Sequence, residues 1–193
     1  AGVHAYGQVA NFKIKTDMTA EEIMDNINKF LPGDIGIISA WEAEPRFHSR
    51  LNARKKTYRY KILTGKIPAV FTEKYAFRHT DSLNIELMRS ASEYLIGKHD
   101  FKSFTDNKKG NTSTVRTIES IDISQNGNEI NIDFTGDGFL YHMVRILSGT
   151  LIKVGEGELS PESITQIIED KNRNSSGPLA PAKGLMLMEV FYK

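Results

Sequence analysis

An α+β fold, built as a mostly antiparallel sheet with helices on one face, is what this sequence predicts. Three observations carry that expectation. Residues 117–124 and 129–135 alternate apolar and polar side chains across Asn126-Gly127, a two-residue turn signal, and so read as a hairpin with one face buried and one wet. The period then changes, with Leu140, Val144, Leu147 and Leu151 forming a stripe at helical spacing over residues 140–154. Strand-like and helical segments interleave along the whole chain, with no internal repeat and no low-complexity tract.

In order, residues 1–7 read as a loop and 8–14 as a strand whose apolar positions are Val9, Phe12 and Ile14. Asp17 or Thr19 can cap a helix over 20–30, where Ile23, Ile27 and Phe30 fall on one face. Leu31-Pro32-Gly33-Asp34 stops it, and 35–44, with Ile37, Ile38 and Trp41, reads as a strand ended by Pro45. Residues 54–64 form another strand, with Tyr58, Tyr60 and Ile62 on one side and Thr57, Arg59 and Lys61 on the other. On these residues alone the two tyrosines read more readily as core aromatics with hydroxyls at the rim than as stacking platforms. After a loop over 64–75, residues 84–96 carry Ile85, Met88, Ala91, Ser92 and Leu95 at helical spacing, and Gly97 ends that helix. Residues 105–114 form a polar loop around Lys108-Lys109-Gly110, either a phosphate contact or a solvated tip. Ser160-Pro161-Glu162 opens a last helix carrying Ile164, Ile167 and Ile168, and after a loop over 172–181 the chain closes with a strand over 185–192.

Bulk composition excludes several classes. The 193 residues are 39% hydrophobic and 25% charged, ordinary values for a globular protein with a sizeable core. No apolar run reaches the roughly 18 residues of a membrane span. With no cysteine there is neither disulfide nor thiolate metal site, which fits the cytoplasm. His4, His48, His79, His99 and His142 are scattered without ligand spacing, so no metal site is predicted, and no phosphate loop or dinucleotide fingerprint occurs. The net charge of +1 hides a local excess: residues 46–72 hold Arg46, Arg50, Arg54, Lys55, Lys56, Arg59, Lys61 and Lys66 and no acid. Such a field suits a phosphate backbone, and the interleaved tyrosines favour nucleic acid over a merely solvated basic face. Composition and pattern alone stop at an α+β domain that binds RNA.

Six stretches, in this order along the chain, go further: Ala1-Gly2-Val3-His4-Ala5; Phe47-His48-Ser49-Arg50 with Lys56-Thr57-Tyr58-Arg59-Tyr60; Gly97-Lys98-His99-Asp100-Phe101 with Ser103-Phe104; Arg116-Thr117-Ile118; Gly138-Phe139-Leu140-Tyr141-His142-Met143-Val144-Arg145; and Ala180-Pro181-Ala182 with Gly184-Leu185. Together they resemble the tRNA pseudouridine synthase I (TruA) family. The resemblance implies two RNP- or ferredoxin-like α/β halves, residues 1–46 being the remnant of the first and 47–193 the second. It implies a homodimer that works without cofactor on uridines at positions 38–40 of the tRNA anticodon arm.

The family's first motif reads Gly-Arg-Thr-Asp-Ala-Gly-Val-His-Ala, and its aspartate is the nucleophile. That residue would precede Ala1, so this chain by itself is expected to be inactive. Tyr58 matches the base-stacking tyrosine, Leu140 a residue of the apolar wall, and Arg145 the arginine that pairs with the aspartate. Arg46, Arg50, Arg54, Lys55, Lys56, Arg59, Lys108 and Lys109 are the expected RNA contacts. His4 is expected to shape its loop rather than transfer protons. The alternative is a non-catalytic RNA-binding module using the same basic strand.

Overall fold

An alternating segment becomes a strand only where a neighbour takes up its N–H and C=O groups. Seven segments find one in the computed structural model, which describes residues 2–107 and 113–192: β1 (His4–Ala5), β2 (Lys55–Thr64), β3 (Phe77–His79), β4 (Gly97–Asp100), β5 (Val115–Asn126), β6 (Glu129–Gly136) and β7 (Leu185–Phe191). They form a sheet in the order β1-β7-β2-β6-β5-β4, and β3 pairs with β2 past the end of β7. The β1–β7 and β2–β3 pairs are parallel; the others are antiparallel. The β5–β6 hairpin turns where the sequence predicts, at Asn126-Gly127, with Gly127 at φ +56°, a left-handed value that glycine adopts without strain.

The chain divides into two compact units, residues 1–8 with 53–193, and residues 9–52. The second unit holds α1 (Ala20–Asn28), opened by a capping box in which Thr19 and Glu22 satisfy each other's backbone N–H groups. The strands expected over 8–14 and 35–44 do not form. Residues 9–52 offer no second strand to pair with, and Asn28 occupies the backbone of Ile37 instead, donating to its C=O at 2.9 Å and accepting from its N–H at 2.8 Å. Of the expected apolar face of α1, Ile23 and Ile27 are half-buried and Phe30 is 88% exposed.

The larger unit carries α2 (Ile85–Glu93), α3 (Met143–Gly155) and α4 (Ser163–Asp170). Asn84 caps α2 by accepting from Leu87 N–H. The helix expected from residue 140 starts at Met143, because His142 sits in the left-handed region at φ 64° and ψ 0°, which a helix cannot pass through. Leu140 therefore lies outside the helix. One side of the sheet supplies Tyr60, Ile62, Ile130, Ile132 and Phe134 to the core, and α2 and α3 supply Met88, Ala91, Ile146 and Leu147. Each large side chain buried there contributes about 2 kcal/mol of transfer free energy.

Tyr60 is fully buried and donates its hydroxyl to Pro181 C=O at 2.9 Å; burial raises its pKa, with the charge of Arg145 opposing, so the donor keeps its proton. Tyr60→Phe leaves that carbonyl without its donor. The expected loss is about 1 kcal/mol, read as a Tm lower by roughly 2–4 °C in calorimetry.

Candidate active site

Four chain segments converge at the amino-terminal end of α3. The first is β2, where the β7 register shifts between Thr57 and Tyr58, a bulge that can re-aim the side chain after it. Tyr58 is half-buried and packs edge-on against Phe139, ring centroids 5.4 Å apart and planes at 88°. Burial raises the pKa of its phenol, so the ring is presented neutral. The second segment is the link from β6 to α3, which carries Phe139, Leu140 and Tyr141 before the left-handed His142.

The third is the first turn of α3, with Arg145. The fourth is the stretch before β7, which fixes that arginine: Arg145 Nε donates to Ala180 C=O at 2.6 Å, while Ala180 N–H donates to Arg145 C=O at 3.3 Å. Gly149 and Gly177 allow this closeness, since a Cβ on Gly149 would lie 2.0 Å from Pro178 O and one on Gly177 2.6 Å from Thr150 Cα. Among the described residues no acid pairs with Arg145, and of its guanidinium only Nε is hydrogen-bonded.

A cleft of about 300 Å³ results, lined by Val3, Tyr58, Phe139, Leu140, Arg145 and Leu185 among others. The sequence names Tyr58, Leu140 and Arg145 from segments more than 80 residues apart, and the fold brings all three to this cleft. Val3 reaches it because β1 pairs in parallel with Met186 and Leu187. His4 donates to Lys74 C=O at 3.1 Å and meets the Tyr75 ring edge-on at 4.8 Å, tying β1 down from the other side. The geometry can receive a flat ring against aromatic and aliphatic walls, with a guanidinium fork at hand for an anion.

Behind the cleft lies a cluster that the sequence reading missed. Asp106 Oδ2 lies 2.7 Å from His142 Nδ1, and its Oδ1 accepts from Arg173 Nε at 2.9 Å. Arg173 also donates through Nη1 to Gly177 C=O at 3.0 Å, so one carboxylate links the start of α3 to the stretch that holds Arg145. Burial raises the Asp106 pKa, but the hydrogen bonds and charges of His142 and Arg173 outweigh it and the net shift is downward. No periodicity announces this cluster, because its members come from three loops or loop ends.

The basic stretch proves less uniform than its sequence. Arg59 makes a bidentate pair with Asp133 at 2.7 and 2.6 Å, Lys61 pairs with Glu129 at 3.0 Å and Lys55 with Glu119 at 3.3 Å. The acids missing from residues 46–72 stand on β6, which pairs with β2, and on β5, one strand further along the sheet. Lys56 makes no ion pair among the described residues, and neither does Arg54, which is exposed. Arg46 and Arg50 are exposed in turns of the smaller unit, and Lys108 and Lys109 lie outside the described residues. No helix among the described residues is long and apolar enough to cross a membrane.

Comparison with known proteins gives this geometry a context. Residues 91–193 match the model of a family described as tRNA pseudouridine synthase. The chain is 44% identical over 192 residues to tRNA pseudouridine synthase A 2 of Clostridium tetani (strain Massachusetts / E88), covering all of this chain and 77% of that protein. It is 42% identical over 192 residues to tRNA pseudouridine synthase A of Bacillus subtilis (strain 168), covering all of this chain and 78% of that protein. Against tRNA pseudouridine synthase A of Thermoanaerobacter sp. (strain X514) the identity is 41% over 191 residues, covering 99% of this chain and 78% of the relative. Identity at this level across essentially the full chain means that it belongs to the tRNA pseudouridine synthase family.

Proposed function

We propose that this chain supplies the base-binding wall and the carboxylate-orienting arginine of an isomerase that converts uridine to pseudouridine in the anticodon arm of tRNA. The observation that supports this most is the shared cleft of Tyr58, Leu140 and Arg145 beside Val3. A uridine leaves its stack to react, and the Tyr58 ring with the Leu140 side chain gives it a face and a dry wall. In the family's chemistry an aspartate attacks the uridine and the glycosidic C–N bond breaks. The uracil then turns and is rejoined through C5, which loses its proton while N1 gains one, so no redox partner is needed. The Nη groups of Arg145 are the cation such a carboxylate needs to stay ionised and nucleophilic. Its Nε bond to Ala180 sets the direction of the fork.

The family's chemistry needs an aspartate whose carboxylate the Arg145 fork can reach, and its signature product is pseudouridine. The full natural protein is expected to form it on unmodified tRNA, scored by nucleoside chromatography after digestion. Salt-dependent binding of tRNA without product would instead favour the non-catalytic RNA-binding module. The working unit is a cytoplasmic homodimer with a basic groove, which light scattering tests by mass.

Within that groove the cations are unequal. Replacing Arg59 and Asp133 together by Ala is expected to leave tRNA affinity within about twofold, because the two charges already offset each other. Lys56→Ala and Arg54→Ala should each weaken binding and reduce the log–log salt slope by about one. Filter binding from low to moderate salt reads both quantities.

A further inference from the structure

Tyr141 stands at the mouth of the cleft, 63% exposed, and its ring stacks on that of His142 with centroids 3.7 Å apart and planes at 26°. Neither ring is needed to close the hydrophobic core. Yet the stack is held firmly. Asp106 fixes the imidazole through Nδ1, Arg173 fixes Asp106, and Thr105 donates its hydroxyl to Tyr141 C=O at 2.9 Å. His142 adopts left-handed backbone to make the arrangement, a conformation that costs a non-glycine residue of order 1 kcal/mol and that gathers at binding sites. A large aromatic ring is thus kept in water, 63% exposed, with one face covered by the imidazole.

We propose that the Tyr141–His142 stack is a second nucleobase platform, which takes a base flanking the reacting uridine. The inference rests on the functional reading above. Once a uridine is drawn toward Tyr58, its neighbours lose a stacking partner, and a pre-ordered ring at the cleft mouth replaces that partner without reading sequence. The ligand class follows from the surface: a flat π-face and no requirement for charge. Base-on-aromatic stacking is strong enough for its loss to cost about tenfold in binding.

The test is a cycle between protein and RNA in the full natural protein, using a synthetic anticodon-arm hairpin. The target uridine is flanked on either side by a normal or an abasic nucleotide, and kcat/KM for pseudouridine formation is measured with wild type and Tyr141→Ala. On the side the platform serves, each single change is expected to lower kcat/KM about tenfold, mainly through KM, and the two together should cost no more than either alone. Tyr141→Phe, which keeps the ring, should restore the coupling to the base. Losses that multiply on both sides, or a Tyr141→Ala value within twofold of wild type, overturn the platform while leaving the enzyme reading intact. Failure of wild type to form product on the unaltered hairpin overturns the enzyme reading, and the platform with it.

Discussion

Arg145→Ala in the full natural protein should lower kcat for pseudouridine formation by at least about a hundredfold, with KM for tRNA changed little. The scale is that of removing one preorganised electrostatic contact at a reacting centre. The split between kcat and KM follows from position. Arg145 lies in the first turn of α3 at the wall of a cleft of about 300 Å³, whereas the proposed reading assigns tRNA affinity to cations such as Arg54 and Lys56 outside that cleft. Arg145→Lys tests the geometry separately from the charge. Lysine keeps a positive charge but lacks the planar fork and the Nε donor to Ala180 C=O, so it should recover only part of the loss. Release of tritium from C5-labelled uridine measures the step directly, because C5 loses its hydrogen when the new bond forms. An Arg145→Ala enzyme with more than half of wild-type kcat would remove the arginine from the mechanism. The fold is a checkable confounder: the carbonyl of Ala180 loses its donor, for a cost of about 1–3 kcal/mol, so the variant's Tm must be reported beside its rate.

Gly149→Ala should be the most destabilising single methyl that can be added to the chain near the site. The new Cβ would fall 2.0 Å from Pro178 O and 3.0 Å from Pro178 C, backbone atoms that no rotamer change can move aside. Either α3 or the stretch from Gly177 to Pro181 must shift. The expected cost is about 3 kcal/mol, equivalent to a fall in Tm of roughly 6–12 °C for a chain of this size. Gly157→Ala is the control: it has no neighbour within 4 Å but sits at φ +77°, so it pays about 1 kcal/mol for backbone alone. Differential scanning calorimetry ranks the two, and equal shifts would contradict the close approach. Because Ala180 lies on the displaced stretch, Gly149→Ala should also lower kcat, measured well below its Tm where the variant is still folded.

Local chemistry made much of this molecule legible. The hairpin at Asn126-Gly127 needs only its turn residues and its alternation, and the helix over Ile85–Glu93 needs only its stripe and the Asn84 cap. The runs over 8–14 and 35–44 misled because an alternating pattern records a willingness to pair, not the presence of a partner. In the second case the Asn28 amide takes the backbone of Ile37. Residues 140–142 misled differently: their apolar spacing is helical, but the left-handed His142 hands Leu140 and Tyr141 to the cleft wall. Arg145 could be named from its motif, whereas its orienting partner could not, since the carbonyl of Ala180 has no side-chain identity to read.

The sequence by itself determined the fold class and the family motifs, and those motifs named Tyr58, Leu140 and Arg145 as candidates, because all of this is written in near-neighbour residue types. Only the tertiary structure decided which charges remain available and which groups aim the arginine. Coulomb interaction and hydrogen bonding depend on distance through space. Arg59 meets Asp133 from 74 positions away, and Asp106 meets His142 and Arg173 from 36 and 67, separations at which a linear reading has no ruler.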